Sequence, residues 1–307
     1  MTSVVEPTNS LSHGRRALGK GGLTIPTIAW GMWRFRGDDI REARGRVEAA
    51  LEAGFDLFDT ADVYGPDNGE VFGAAEALLG RLLAETPNLR DRFVLATKGG
   101  IEIGAPYNSS AAYLVEACER SLRRLGADTI DLYQIHRSDT LTHPAETARA
   151  LEALRRAGKI REAGVSNYST GQVLALQAHL PFPLASIQPE FSPLAIEPIA
   201  NGVLDQALEL GLTVLAWSPL GGGRLLARGD SRVAAVAEAL ETVGARWGVG
   251  LSAAALAWIM AHPAAPTPII GSQTPARIRE AADALKVTFT RADWYAVLIA
   301  ARGERLP

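Results

Sequence analysis

The chain repeats one device. At four places an amphipathic stretch stops at a glycine and a short apolar run follows at once: at Gly54 before FDLFD, Gly126 before the run TIDLYQI, Gly158 before KIREAGV and Gly211 before LTVLAW. Glycine is the favoured helix stop because, with no Cβ, it enters the left-handed conformation without a clash. Strands that alternate with helices of ten or more residues are parallel and joined by helical crossovers. Eight strand-length runs can be counted, at 27–30, 56–59, 93–97, 130–135, 160–165, 185–188, 213–217 and 267–270. Eight such units within about 245 residues predict an α/β fold of the (β/α)8 TIM barrel type. The segment RRALGKGGLTIP, two short β-capable pieces around a glycine-rich turn, predicts an N-terminal β-hairpin that closes the bottom of the barrel. Thr290 and Asp293 form a capping box that opens an extra C-terminal helix ending near Ala301. No low-complexity linker divides the chain, so residues 1–13 read as a flexible N-terminus and 14–307 as a single domain.

Composition then removes several kinds of function. Of 307 residues 47% are hydrophobic, enough for a large buried core, and the net charge of −3 has the wrong sign to hold a nucleic acid by its phosphates. One cysteine, Cys118, rules out an intramolecular disulfide and a cysteine-held metal, and fits a reducing compartment. The N-terminal residues lack the basic start and apolar core of an export signal. The longest nearly pure apolar run, 251–261, would cross about half of a bilayer's hydrocarbon and predicts a core helix. The expectation is a cytoplasmic protein without a metal, a nucleic-acid partner or a membrane anchor; the oligomeric state stays open.

In a parallel barrel the site lies at the carboxyl ends of the strands, so the residues directly after each run are the ones to collect. They are Gly31, Met32 and Trp33, then Asp59, Lys98, His136, Ser166 with Asn167, Gln188, Trp217 with Ser218, and Gly271 with Ser272. Tyr64 follows Asp59 on the same loop. Taken singly, each has a bland reading as a cap, a solvated charge or a structural imidazole. Taken together, an acid, a cation and a base at one end of three successive strands, with a tyrosine beside them, form a convergent set. A free phenol has a pKa of about 10 and needs help to act as an acid at neutral pH. Lys98 can stabilise the phenolate, Asp59 can hold the ammonium in place and charged, and His136 can orient a carbonyl oxygen. Such a set protonates an oxygen while a hydride attacks carbon. With no metal cluster, no GxSxG elbow and no second paired carboxylate, a bound nicotinamide is the fitting donor.

The blocks FDTADVYG (58–65), LATKGG (95–100), LYQIHR (132–137), GVSN (164–167), LAWSPLGGG (215–223) and GSQTPARIRE (271–280) resemble, in order and over nearly the whole chain, the signature blocks of the aldo/keto reductase superfamily, closest to a bacterial branch with a short C-terminal tail. The resemblance implies that Asp59, Tyr64, Lys98 and His136 are the catalytic tetrad, with Tyr64 the general acid in reduction and the base in oxidation. It implies that Ser166, Asn167 and Gln188 hold the nicotinamide carboxamide and that Trp217 stacks on the ring. The remaining cofactor contacts expected are Gly31, Met32, Trp33 and Asp59 at the first strand ends, Ser218, Pro219, Leu220, Gly222 and Arg224 around the pyrophosphate, and Ser272, Arg277 and Glu280 at the adenine end.

Arg277 matches the family arginine that pairs with a 2′-phosphate, so NADPH is the expected cofactor, with some NADH use. Gly271 stands where many relatives carry lysine, and Ala281 where many carry asparagine. Since no GxGxxG follows the first strand, the barrel itself must hold the cofactor. Substrate loops are expected at 33–38 with Trp33, at 104–110 with Tyr107 and after Gly223, with Arg34 and Arg36 able to meet an anion; a tail of about six residues predicts a broad carbonyl range. The expected activity is NADPH-dependent reduction of aldehydes or ketones to alcohols. Competing readings are a sugar or alcohol dehydrogenase on the same site, a lyase with Lys98 as Schiff-base nucleophile, and a nucleotide-sensing subunit with negligible turnover.

Overall fold

The computed structural model describes residues 14–306, so the expected flexible lead 1–13 and Pro307 lie outside the described residues. Two short strands, β1 (Arg16–Ala17) and β2 (Thr24–Ile25), form an antiparallel hairpin. Eight parallel strands follow: β3 (Ala29–Gly31), β4 (Leu57–Asp59), β5 (Val94–Gly99), β6 (Ile130–Ile135), β7 (Ile160–Ser166), β8 (Ser186–Gln188), β9 (Thr213–Ala216) and β10 (Thr267–Ile270). They close into a barrel in sequence order, β10 pairing with both β3 and β9. This is the expected barrel, with the hairpin before it and the capped helix Arg291–Arg302 after it.

Local chemistry sets the helices that surround it. The side chain of Asp39 accepts from the backbone of Arg41 and Glu42 to open Ile40–Glu52, and Ser169 with Gln172 forms a reciprocal capping box at Thr170–Gln177. Gly126 and Gly211, at φ of 61° and 71°, end Ala111–Leu125 and Val203–Leu210 where the sequence placed them. Helix Leu251–Met260 is buried from Ala253 onward, and among the described residues no single helix is long and apolar enough to cross a membrane. The C-terminal helix is pinned by two indoles: Trp258 and Trp294 stack at 4.9 Å, and each Nε1 donates to the other's carbonyl at 3.0 Å.

The pleat decides what faces inward, because successive side chains alternate across a strand. Leu57, Val94, Ala96, Leu132, Leu215 and Ile269 form the lower interior, and Leu18 and Ile25 of the hairpin pack onto them as a stopper. Two residues further up the same faces stand Asp59 above Leu57, Lys98 above Ala96 and Gln134 above Leu132. The inner wall therefore changes from apolar at the bottom to polar at the top.

The loop between β4 and helix Ala74–Glu85 carries Tyr64, and Glu76 in the first turn of that helix is hydrogen-bonded to β5 and ion-paired with Arg124 of helix Ala111–Leu125. Glu76 is fully buried; its Oε1 accepts from Thr97 Oγ1 at 2.5 Å and its Oε2 from Arg124 Nε at 2.8 Å. Removing one partner of a buried pair strands the other charge, at a cost of about 3–5 kcal/mol. Arg124→Met is expected to lower unfolding stability by about that much in urea titrations, and a loss under about 1 kcal/mol would show that Glu76 does not depend on the guanidinium.

Candidate functional site

The strand ends open into one cleft of about 1260 Å³. Its floor is built on a buried ammonium. Lys98, fully buried at the top of β5, donates from Nζ to Asp59 Oδ2 at 2.6 Å, to the Thr60 carbonyl at 2.9 Å and to Tyr64 Oη at 3.0 Å. Three donors thus meet three acceptors, and the third leads to the cleft, where Tyr64 forms part of the wall. The backbone holds this loop in place: Thr60 N donates to the Ala96 carbonyl, Asp62 N to that of Lys98, and Ala75 N, in the first turn of helix Ala74–Glu85, to that of Tyr64.

Electrostatics follow from burial and from these contacts. Burial works against the Lys98 ammonium, but Asp59 and Tyr64 outweigh it and hold its pKa above the usual lysine value. Burial is also the largest influence on Tyr64; it outweighs the nearby ammonium and leaves the phenol above 10. From the residue types, Lys98 eases loss of the phenol proton. Its charge does act in that direction, yet the net direction in the protein is upward, so the hydroxyl keeps its proton at neutral pH. His136 lies edge-on to Tyr64 with ring centroids 5.9 Å apart, and its Nδ1 is buried with no partner among the described residues. Burial, then the charges of Lys98 and Arg137, push the imidazole well below 6.5 and keep it neutral.

A second layer of polar groups surrounds Asp59. Gln188 Nε2 donates to Asp59 Oδ1 at 3.0 Å, and Gln134 Nε2 reaches the same oxygen at 3.3 Å. On the neighbouring strand end, Ser166 Oγ donates to the Gln188 carbonyl at 2.9 Å, and Asn167 donates to Ser166 Oγ at 2.8 Å. Asn167 adopts φ of 58°, which an asparagine tolerates better than most side chains, and its Oδ1 accepts from Trp217 Nε1 at 2.9 Å. That bond fixes the indole in the cleft wall.

Most of the residues singled out from the sequence come together. Gly31, Met32, Trp33, Asp59, Tyr64, His136, Ser166, Asn167, Gln188 and Trp217 line the cleft, as do Ser218, Pro219, Leu220, Gly222, Ser272, Arg277 and Glu280. Lys98 lies beneath the wall, touching the cleft through Tyr64. Two residues stand apart: Arg224 is outside the lining and turns its Nε back to the Gly221 carbonyl at 3.0 Å, and Tyr107 is outside it and 44% exposed. Arg34 and Arg36 do line the cleft, Arg34 over the Trp33 ring at 4.6 Å and Arg36 donating to the Asn68 carbonyl at 3.3 Å. The cleft also takes in Arg137, Asp67, Asn68 and Gln273, and Gln134 lies behind it on Asp59, none of which the residues after the strands point to. For Gln134 a signal was present: a glutamine within the apolar run LYQI, on the inward parity of Leu132.

The profile of the aldo/keto reductase family matches residues 27–300. The chain is 55% identical over 294 residues to a 6-dehydroglucose reductase of Novosphingobium aromaticivorans, covering 95% of this chain and 97% of the relative. It is 37% identical to a 6-dehydroglucose reductase of Agrobacterium fabrum (92% and 97% covered) and 34% identical to the oxidoreductase YdhF of Escherichia coli (93% and 97%). In fold it is similar to the crystal structure of a thermostable aldo-keto reductase in complex with the inhibitor epalrestat, at a TM-score of 0.79 and 23% identity, covering 94% of this chain and 99% of that one. The chain belongs to the aldo/keto reductase family, and it is an NAD(P)H-dependent oxidoreductase acting on small carbonyl compounds.

Proposed function

We propose that the protein reduces the aldehyde of an oxidised sugar, of the 6-dehydroglucose kind, to the alcohol with NADPH, Tyr64 serving as the general acid. The observation that carries this is the position of Lys98 Nζ, which bridges Asp59 and the phenol oxygen at the cleft floor. The sugar rests on the two relatives so named, at 55% and 37% identity. The cleft suits a polyhydroxyl substrate, since Asp67 and Asn68 line it beside Trp33, and Arg137 lines it over the Trp217 ring.

The residues fit a dinucleotide. Gly222 and Gly223, at φ of 68° and 98°, leave their backbone open, with nothing within 4 Å of where a Cβ would stand. Gln188 lines the cleft, its Oε1 bonded to no described residue, and with Ser166 and Asn167 it would hold the nicotinamide carboxamide. Ser272, Arg277 and Glu280 lie along the wall after β10, Arg277 without an ion pair to any described residue, and would take the 2′-phosphate and adenine. When bound, the nicotinamide supplies the hydride.

The chain's own residues do the rest. Tyr64, held protonated by burial, presents its hydroxyl to the carbonyl oxygen, and His136, a neutral imidazole, directs that oxygen toward it. As the phenol gives up its proton, the Lys98 ammonium at 3.0 Å stabilises the phenolate that remains, and Asp59 keeps the ammonium charged. The lyase reading requires a neutral lysine. Lys98, bonded to Asp59 and held above the usual lysine range, is the reverse of that.

Three measurements test this reading. With 6-dehydroglucose or a simple aldehyde, Tyr64→Phe is expected to lose about 10²–10⁴-fold in turnover while retaining NADPH binding, and undiminished turnover would remove Tyr64 from the role. Arg277→Ala is expected to weaken NADPH binding roughly 10- to 150-fold in fluorescence titration and to leave NADH nearly unchanged; an equal loss for both nucleotides would mean that the 2′-phosphate is not its partner. The sign of the His136 shift puts its protonation well below pH 6.5, so its imidazole NMR signals should stay those of the neutral ring from pH 8 down to 6. Protonation with a midpoint inside that window would contradict the neutral imidazole.

A further inference from the structure

The inner wall of the barrel holds a polar cluster that no part of the proton relay uses directly. Gln134, fully buried on β6, is paired in register with Lys98 on one side and Gly164 on the other. Its Nε2 donates to Asp59 Oδ1 at 3.3 Å, and its Oε1 accepts from Gln188 Nε2 at 3.3 Å and from Ser186 Oγ at 3.3 Å. The space for this cluster comes from Gly164: a Cβ there would stand 2.1 Å from Ser186 Oγ and 3.3 Å from Gln134 Cγ.

The bonding pattern has a direction. The amide of Gln188 has two N–H donors, and both are taken, one by Asp59 Oδ1 at 3.0 Å and one by Gln134 Oε1. Were the Gln188 amide reversed, its oxygen would face a carboxylate and another amide oxygen, with no donor between them. Gln134 thus leaves Gln188 one orientation, with Nε2 inward and the acceptor Oε1 toward the cleft. The same glutamine gives Asp59 Oδ1 a second donor, so the carboxylate is held from one side by two amides and from the other by the ammonium.

We propose that Gln134 is a positioning residue that couples the two halves of the site, steadying Asp59 beneath Lys98 and fixing the Gln188 amide so that its oxygen accepts from the nicotinamide carboxamide. This rests on the cofactor reading above. It makes Gln134 matter only for ligands that carry the nicotinamide, because the adenine end lies on the separate wall after β10.

The test compares two nucleotides by fluorescence titration, NADPH and 2′-phospho-ADP-ribose, which is the same molecule without the nicotinamide. Gln134→Leu keeps the approximate size and removes both functions of the amide. It is expected to weaken NADPH about tenfold and leave 2′-phospho-ADP-ribose unchanged. Unchanged NADPH binding, or an equal loss for both ligands, would overturn the proposal. A wild-type protein that failed to bind NADPH would remove the cofactor reading itself, so the two failures are distinguishable. A second variant, Gln134→Glu, places a carboxyl beside Asp59, where burial and like charge raise its pKa. While protonated it can still donate to Asp59; once ionised it repels it. Turnover in this variant is expected to fall as pH rises, along a limb absent from the wild-type profile, and coinciding profiles would overturn the role.

Discussion

A lysine ammonium with no exposure at all is the constraint around which the upper barrel is arranged. Burying an unpaired charge costs far more than any single contact returns, so the site exists only because three acceptors converge on Nζ. Two of them, Asp59 and the Thr60 carbonyl, come from the neighbouring strand end, and the third is the phenol that reaches the cleft. The need to satisfy the ammonium therefore dictates the course of the β4 loop. Just beyond the loop, Glu76 accepts from Thr97, the residue before Lys98, and from Arg124, so the helix that receives the loop is tied to the strand that carries the ammonium.

The barrel was legible because its determinants are local. A glycine that ends a helix, an apolar run of four to six residues and a capping box each depend on neighbours in sequence, and Gly126, Gly211 and Thr290 do what their positions imply. The convergence of Asp59, Tyr64, Lys98 and His136 could be read as well, since residues at the carboxyl ends of parallel strands must face one opening. What escaped were features set by where a side chain turns after the backbone has left the strand. Arg224 follows three glycines, and nothing in the sequence says that its guanidinium folds back on Gly221. Tyr107 follows a turn closed by the Glu102–Ala105 bridge and stands exposed, off the wall. The Glu76–Arg124 pair joins residues 48 apart, beyond any local pattern.

The direction of the Tyr64 shift shows where magnitudes matter. From the residue types alone, a cation beside a phenol eases ionisation. In the folded protein the same cation is already balanced by Asp59, so the phenol meets a nearly neutral pair in a dry setting, and desolvation decides. The outcome suits an acid, which must hold its proton until an oxygen develops negative charge nearby.

The hairpin stopper has a consequence of its own. With Leu18 and Ile25 packed against the lower interior, the barrel of the described residues is a vessel closed at one end, and the fully buried Lys98 communicates with the cleft through Tyr64. Every proton that the phenol gives up must be replaced through the mouth that also admits the reactants. The supply of acid is then gated by whatever occupies the cleft, and two short strands at the opposite end of the molecule make it so.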